Sequence, residues 1–133
     1  MKKIYFAGAI TIGNDKYEDY IDLIDFLSDY GEILTKNIWN EDLSHVNNYE
    51  EKIYQRHKKW MDEADLIIAD ISLPSIGVGY ELSYFEAHNK PSICLYDENS
   101  PKRLNCMIAG NKYHKIIKYK DLKEVKEKLK EIL

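Results

Sequence analysis

The chain has 133 residues, of which 44% are hydrophobic and 32% charged, and its formal net charge is −4. This length predicts one domain, residues 1–133, with one core, and the negative charge argues against a positive field that would bind a nucleic acid polymer. No apolar run approaches the ~20 residues that a membrane-spanning helix requires, so we expect a cytoplasmic protein with no membrane partner.

Apolar runs alternate with amphipathic segments along the chain. The apolar runs predict strands at residues 3–10, 32–35, 65–72, 92–96 and 115–119. The amphipathic segments predict helices at residues 17–31, 49–65, 80–90, 104–109 and 121–133. In the first helix Gly31 is the predicted stop, and the third is predicted to follow a glycine-containing loop. Strands separated by helices indicate parallel βαβ units and a three-layer α/β domain.

Ligands of such sheets bind beyond the carboxyl ends of the strands, near the point where the strand order reverses. This rule brings three loops into one candidate site, at residues 8–13, 35–40 and 72–81. Gly8 begins the first of these loops and is therefore a candidate ligand contact. Glycines at such a position let the backbone approach a ligand closely.

Glu81 is the leading candidate for a reactive group. It follows Gly77 and Gly79 in the stretch PSIGVGYEL, residues 74–82. The glycines could hold an anion, keep Glu81 ionised through helix-end amides, or only cap a helix. A first-turn acid that complements the helix dipole is the simpler interpretation, but an ionised carboxylate beside bare backbone is also suited to nucleophilic attack.

Other candidates have equally plausible structural roles. Tyr5, on the first predicted strand, is either a core tyrosine or a phenol that orients Glu81. Ser75 is either a turn residue or part of a phosphate cradle. His57 lies three residues before Trp60 within a charged helix, where a surface histidine is the commoner case.

Histidines and cysteines show no ligand spacing, so we expect no metal and no cofactor. The cysteines Cys94 and Cys106 are predicted to be reduced packing residues.

Taken together, KIYFAGAI, GEILT, ADLIIADIS, PSIGVGYEL and MIAGN resemble the nucleoside 2-deoxyribosyltransferase superfamily, and in particular its 2'-deoxynucleoside 5'-phosphate N-hydrolase branch. The likeness runs from residue 3 to about residue 117. It implies a flavodoxin-like fold with a five-stranded parallel sheet, and a homodimer in which each active site uses a segment of the partner.

The resemblance also implies roles for individual residues. Glu81 would attack the anomeric carbon of the sugar, Tyr5 would orient it, and Ser75 with the backbone from Gly77 to Gly79 would bind the phosphate. Two further segments would contact the substrate. The segment after the second strand would supply Asn37 and Trp39, and the segment borrowed from the partner would supply Asn105 and Met107. Trp39 would stack on the base or lie at the rim.

The chain departs from the hydrolase pattern in three respects. His57 stands where the hydrolases carry an aspartate, and an imidazole could donate a proton to the leaving base. Thr11 and Ile12 replace the arginine and glycines after the first strand, which removes a bidentate phosphate donor. Asn105 replaces a serine and is the transferase-like residue.

The sequence thus predicts hydrolysis of the N-glycosidic bond of 2'-deoxynucleoside 5'-monophosphates through a glutamate-linked glycosyl intermediate, as in retaining glycosidases. The alternatives are base exchange by a nucleoside 2-deoxyribosyltransferase, or a nucleotide-binding protein with weak catalysis. In each case the partner is a small nucleotide or nucleoside.

Overall fold

The computed structural model describes residues 1–9, 16–39 and 41–133. Its strands are β1 (Lys2–Ala7), β2 (Gly31–Ile33), β3 (Leu66–Asp70), β4 (Ser92–Asp97) and β5 (Lys115–Tyr119). Its helices are α1 (Tyr17–Leu27), α2 (Tyr49–Glu63), α3 (Ile76–Ala87), α4 (Cys106–Ala109) and α5 (Leu122–Ile132). Within the described ranges, no helix is long and apolar enough to cross a bilayer.

All five strands are parallel and lie in the order β2-β1-β3-β4-β5. This is the flavodoxin-like order. The chain adds β2 on one side of β1 and then returns to add β3, β4 and β5 on the other side, so the strand order reverses between β1 and β3. The predicted fold class is therefore confirmed. β3 lies in the middle and is buried along its whole length, which explains why its sequence LIIAD is almost entirely apolar.

Helices cover the two faces of the sheet, and each face has its own apolar core. One core includes Leu23 and Leu27 of α1 with Val125 and Leu129 of α5. The other joins residues of α2 and α3 to the sheet: Met61, Val78, Leu82 and Phe85. The candidate site lies on this second face. There α2 and α3 pack against β1 and β3, the two strands between which the strand order reverses.

Gly31 does not end the first helix as predicted. α1 ends at Leu27, and Gly31 is the first residue of β2. A Cβ atom at this position would lie 2.6 Å from the Lys2 carbonyl oxygen, so a side chain would push β2 away from β1. The glycine is needed for strand packing.

A buried polar network joins the carboxyl ends of β3, β4 and β5. The Tyr119 hydroxyl donates to Asp70 Oδ2 at 2.7 Å, and Lys16 Nζ donates to Tyr119 Oη at 2.9 Å and to Asp97 Oδ2 at 2.6 Å. Burial raises the pKa of the Asp70 carboxyl. Since buried polar groups are costly unless bonded, the network fixes this end of the sheet.

The two cysteines differ in their surroundings. Cys94 is fully buried in β4, as predicted for a packing residue, and burial raises its pKa to about 12. Cys106 is exposed at the start of α4, so the prediction that it packs in the interior is wrong.

Candidate active site

Three polar side chains from separate elements meet on the α2–α3 face of the sheet. Tyr5 projects from β1, His57 from α2 and Glu81 from α3. The Tyr5 hydroxyl donates a hydrogen bond to Glu81 Oε2, and His57 Nδ1 lies 3.1 Å from the same hydroxyl oxygen. Tyr5 is 1% exposed, so its end of this group of three side chains lies in the protein interior. The contact expected between Tyr5 and Glu81 is present.

The direction of the first hydrogen bond determines the tautomer of His57. A phenol has one proton, and that of Tyr5 is donated to Glu81 when the carboxylate is ionised. His57 Nδ1 must then carry hydrogen and donate it to the phenol oxygen. The other ring nitrogen, Nε2, is left with a free lone pair.

Glu81 is not held ionised by helix-end amides, contrary to the sequence prediction. α3 begins at Ile76, so Glu81 is its sixth residue and lies beyond the first turn. Burial raises the pKa of Glu81 to about 7, and the hydrogen bond from Tyr5 opposes that rise. The carboxyl group is therefore near its midpoint at neutral pH, where both forms are present.

The two partners of Glu81 are also held neutral. Burial, and then the negative charge of Glu81, raises the pKa of Tyr5 far above its ordinary value. Burial, and then the positive charge of Arg56, lowers the pKa of His57 to about 4, while Glu41 acts in the opposite direction. A neutral His57 at physiological pH is a proton acceptor, so the predicted donation of a proton from an imidazolium is not supported.

Gly77 and Gly79 lie within the first turn of α3 and not in a loop. The helix starts there because the Ser75 hydroxyl accepts a hydrogen bond from the Val78 amide at 3.3 Å, as an N-cap does. A Cβ on Gly77 would lie 3.8 Å from Glu81 Oε1, whereas one on Gly79 would have no neighbour within 4 Å. Gly77 therefore leaves room beside the carboxylate.

Trp39 lies inside the protein, away from any rim. Its side chain is 6% exposed and packs against Phe6 and Tyr20, with ring centroids 5.6 and 5.4 Å away. Its indole N–H donates to the Thr35 carbonyl at 3.1 Å. Because so little of Trp39 is exposed, the structure supports neither the predicted stacking on a base nor the alternative position at a rim.

Two other predicted contacts lie near Trp39. Asn37 is exposed after β2. Gly8 is buried beyond β1, and a Cβ there would lie 2.8 Å from the Tyr20 ring, which explains the glycine by packing. The other predicted residues of that loop, Thr11 and Ile12, fall outside the part of the chain that the structure describes.

Asn105 and Met107 are at the surface, beside α3. The Asn105 side chain caps α4 by accepting from the Met107 amide at 2.9 Å, and Met107 is 83% exposed. Both line a groove of about 540 Å³ between α3 and α4, together with Ser75, Ile76 and Leu82. Neither residue touches Glu81 of the same chain in any contact that the structure gives.

Arg56 and Glu41 are the charged residues near the site that sequence reasoning missed. Both act electrostatically on His57. In the sequence Arg56 is one of several basic residues in the stretch QRHKK, and its position directly before His57 is the only local signal. Across residues 1–9, 16–39 and 41–133, no cluster of histidine, cysteine or acidic side chains could hold a metal ion.

A parallel sheet with a carboxyl–phenol pair beside its switch point defines the class, an α/β protein with a candidate ligand site at the carboxyl edge of its strands. Within that class, the chain belongs to the nucleoside 2-deoxyribosyltransferase family, whose model matches residues 4–126. The resemblance predicted from the sequence is confirmed.

Two relatives match over most of their length. A protein of Syntrophotalea carbinolica, named provisionally as a 2'-deoxynucleoside 5'-phosphate N-hydrolase, is 35% identical, covering 98% of this chain and 94% of the relative. The 5-hydroxymethyl-dUMP N-hydrolase of Esox lucius is 34% identical, with coverages of 91% and 87%.

Solved structures share the fold at low identity. The CMP N-glycosidase of Clostridium botulinum superposes with a TM-score of 0.71 at 21% identity, covering 99% of this chain and 100% of that one. The 2-deoxyribosyltransferase of Bacillus psychrosaccharolyticus gives 0.66 at 18% identity, with coverages of 93% and 90%.

Proposed function

We propose that this protein hydrolyses the N-glycosidic bond of 2'-deoxynucleoside 5'-monophosphates, releasing the free base and deoxyribose 5-phosphate. The observation that carries the proposal is the half-buried Glu81 carboxyl group, bonded to the Tyr5 hydroxyl. Relatives named as N-hydrolases at about 35% identity supply the substrate class.

Glu81 is the nucleophile in this proposal. Its ionised carboxylate attacks the anomeric carbon, the bond from that carbon to the base breaks, and the bonding electrons leave with the base, which takes a proton from water. A glycosyl ester of Glu81 results, as in retaining glycosidases. Water then attacks the anomeric carbon of the ester, which releases the sugar phosphate and restores the carboxylate.

Tyr5 and His57 support this step from the interior. The Tyr5 hydrogen bond holds one carboxylate oxygen, Oε2, and leaves Oε1 for attack. His57 is neutral at physiological pH and has a lone pair on Nε2, so we assign to it the acceptance of the proton from the hydrolytic water. The aspartate expected at this position in the hydrolases could also accept that proton, but unlike a neutral His57 it would add a negative charge near Glu81.

The amino end of α3 is the proposed site for the 5'-phosphate. Helix ends attract anions because their amide groups point outward without partners. The Ser75 oxygen already accepts from Val78, so its hydroxyl hydrogen remains free to donate to a phosphate. The Gly77 backbone amide lies in the same turn, where the lack of side chains at Gly77 and Gly79 leaves space, whereas the Gly79 amide already donates to the Ser75 carbonyl at 3.2 Å.

We further propose a homodimer that forms through the face containing the α3–α4 groove. Ile76 is 96% and Met107 83% exposed, and both line that groove. A second copy related by a two-fold axis would cover these apolar side chains, as isologous interfaces do. It would also bring Asn105 of each copy toward Ser75 of the other.

Product analysis tests the proposed reaction. The protein is incubated with a 2'-deoxynucleoside monophosphate or the matching nucleoside, with and without a second base, and the products are separated by chromatography. Free deoxyribose 5-phosphate from the monophosphate supports the hydrolase, and Glu81→Ala is the control that should release none. Base exchange would instead support the transferase, the alternative favoured by Asn105.

A third outcome would reject catalysis altogether. If no substrate turns over but a deoxynucleotide still raises the melting temperature, the protein is a nucleotide-binding module. Sedimentation tests the dimer separately, since Met107→Glu should give monomers if this face is the interface.

A further inference from the structure

Arg56 of α2 and Glu41, after β2, form an ion pair close to His57. Arg56 Nη1 donates to Glu41 Oε2 at 3.0 Å, and Nη2 donates to Oε1 at 2.7 Å. This two-bond geometry is stronger and more specific than a single contact. The side chains are 31% and 30% exposed, so water screens the pair only in part.

Aromatic packing joins the pair to the catalytic constellation. The Arg56 guanidinium lies 4.9 Å from the centroid of the Trp60 ring. Trp60 in turn meets His57 edge to face, with ring centroids 5.1 Å apart. Arg56 is therefore held by Glu41 and by Trp60, and its position relative to His57 is restricted.

The two charges act on the site with opposite signs. Arg56 lowers the pKa of His57 and of Tyr5, whereas Glu41 raises the pKa of His57. Among the described residues, the ionisable group that contacts His57 directly is the Tyr5 hydroxyl, which also binds Glu81. The ion pair thus places two opposite charges beside the hydrogen-bond chain from His57 to Glu81.

We propose that Glu41 and Arg56 are positioning residues for the reaction: the pair fixes the segment after β2 against α2 and balances the electrostatic potential at His57. This inference rests on the proposed function, because the constellation that it tunes is the proposed catalytic one. Neither residue needs to touch substrate. Each acts on the chemistry through His57.

A double-mutant cycle separates this electrostatic role from a structural one. Glu41→Gln leaves the Arg56 charge uncompensated and should lower the pKa of His57, whereas Arg56→Gln should raise it. For a unit charge at this range, each shift is expected to be about 0.5–1.5 units. The double variant should return close to the wild-type value, since both charges are gone.

Proton NMR of the imidazole Cε1–H signals measures these shifts without any assay of activity. His57→Gln assigns the signal by its disappearance. Asp22→Asn is the matched control, because it removes the Asp22–Lys126 pair, of 2.9 Å, between α1 and α5. That variant should leave the His57 titration unchanged.

Shifts of opposite sign in the two single variants would support the inference. Shifts of the same sign, or none, would overturn it, because loosened packing does not depend on the sign of the charge removed. If Glu41→Gln unfolds in acid, the upward shift in Arg56→Gln and its reversal in the double variant decide the question. Failure of the wild type to hydrolyse any nucleotide would reject the proposed function, and the NMR result would still decide how the pair acts on His57.

Discussion

Replacing Tyr5 with phenylalanine removes the hydroxyl that bonds Glu81 and keeps the ring that packs against Phe85, with centroids 5.6 Å apart. The hydrogen bond favours the ionised carboxylate, while burial favours the neutral acid. Without the bond, burial acts alone. We therefore expect the pKa of Glu81 to rise further in Tyr5→Phe.

The size of the rise follows from the type of bond. A hydrogen bond to a charged group contributes roughly 1.5–3 kcal/mol, which corresponds to about 1–2 pKa units at about 1.36 kcal/mol per unit. Starting from about 7, the pKa of Glu81 in the variant should lie at roughly 8–9. The ionised fraction at neutral pH then falls from about a half to roughly 1–10%, and kcat/KM falls by roughly 5- to 50-fold.

The assay is the pH dependence of kcat/KM for deoxynucleotide hydrolysis, which reports groups of the free enzyme. The acid limb should move upward in Tyr5→Phe, and much of the lost activity should return in alkaline buffer. Tyr119→Phe is the control, because it removes another buried phenol–carboxylate bond, of 2.7 Å to Asp70, away from the site. An acid limb that stays in place while activity falls uniformly would refute this account of Tyr5.

Three further predictions follow from the same geometry. Because the pKa of Glu81 is raised from its ordinary value of 4.5 to about 7, the folded state loses stability as the pH rises through this range. The free energy of unfolding, measured by chemical denaturation, should therefore be up to ~3 kcal/mol higher in Glu81→Gln than in the wild type at pH 8 and unchanged at pH 4. Equal increases at both pH values would contradict this prediction. Ser75→Ala should lose the N-cap and ~1 kcal/mol of stability, whereas Ser75→Asn keeps a cap. A raised KM for the monophosphate in both variants would show that the Ser75 hydroxyl binds phosphate, and a raised KM in Ser75→Ala alone would show that Ser75 acts only as a cap. Nitrogen NMR should show the Nδ1–H tautomer of His57 at pH values above the pKa of Glu81 and a shift toward the Nε2–H tautomer at lower pH. A tautomer that does not change with pH would rule out the hydrogen-bond chain that joins His57, Tyr5 and Glu81.

The periodic features of the sequence were enough to predict a three-layer α/β domain with parallel strands, whereas the flavodoxin-like five-stranded sheet was implied by the family resemblance. Helical and strand patterns predicted all ten elements of the described part of the chain, and the parallel direction of the strands followed from the alternation of these patterns. The proximity of Tyr5 and Glu81 was also predictable, because both lie beside the point of strand reversal. These properties depend on local patterns and on general rules of sheet topology.

Features that depend on packing between distant residues could not be predicted in this way. Glycines weaken helices, so Gly77 and Gly79 suggested a loop, but the Ser75 cap allows α3 to begin before them. Trp39 looked like a surface stacking residue because nothing local shows that Phe6 and Tyr20 enclose it. The partner of Arg56 is 15 residues away across an irregular segment.

Burial acts on Glu81 and His57 in a way that reverses their ordinary order of protonation. In water the imidazole binds a proton before the carboxylate does as pH falls, with pKa values of 6.5 and 4.5. Here the pKa of Glu81 is about 7 and that of His57 about 4, because burial disfavours the charged form of each group. Between these values the proton is on the nucleophile and His57 is neutral. The acid limb of kcat/KM should therefore report Glu81 near neutrality, and His57→Gln should leave its midpoint within about half a unit while lowering the plateau. A limb that disappears in His57→Gln would assign that ionisation to the imidazole and reverse the proposed roles.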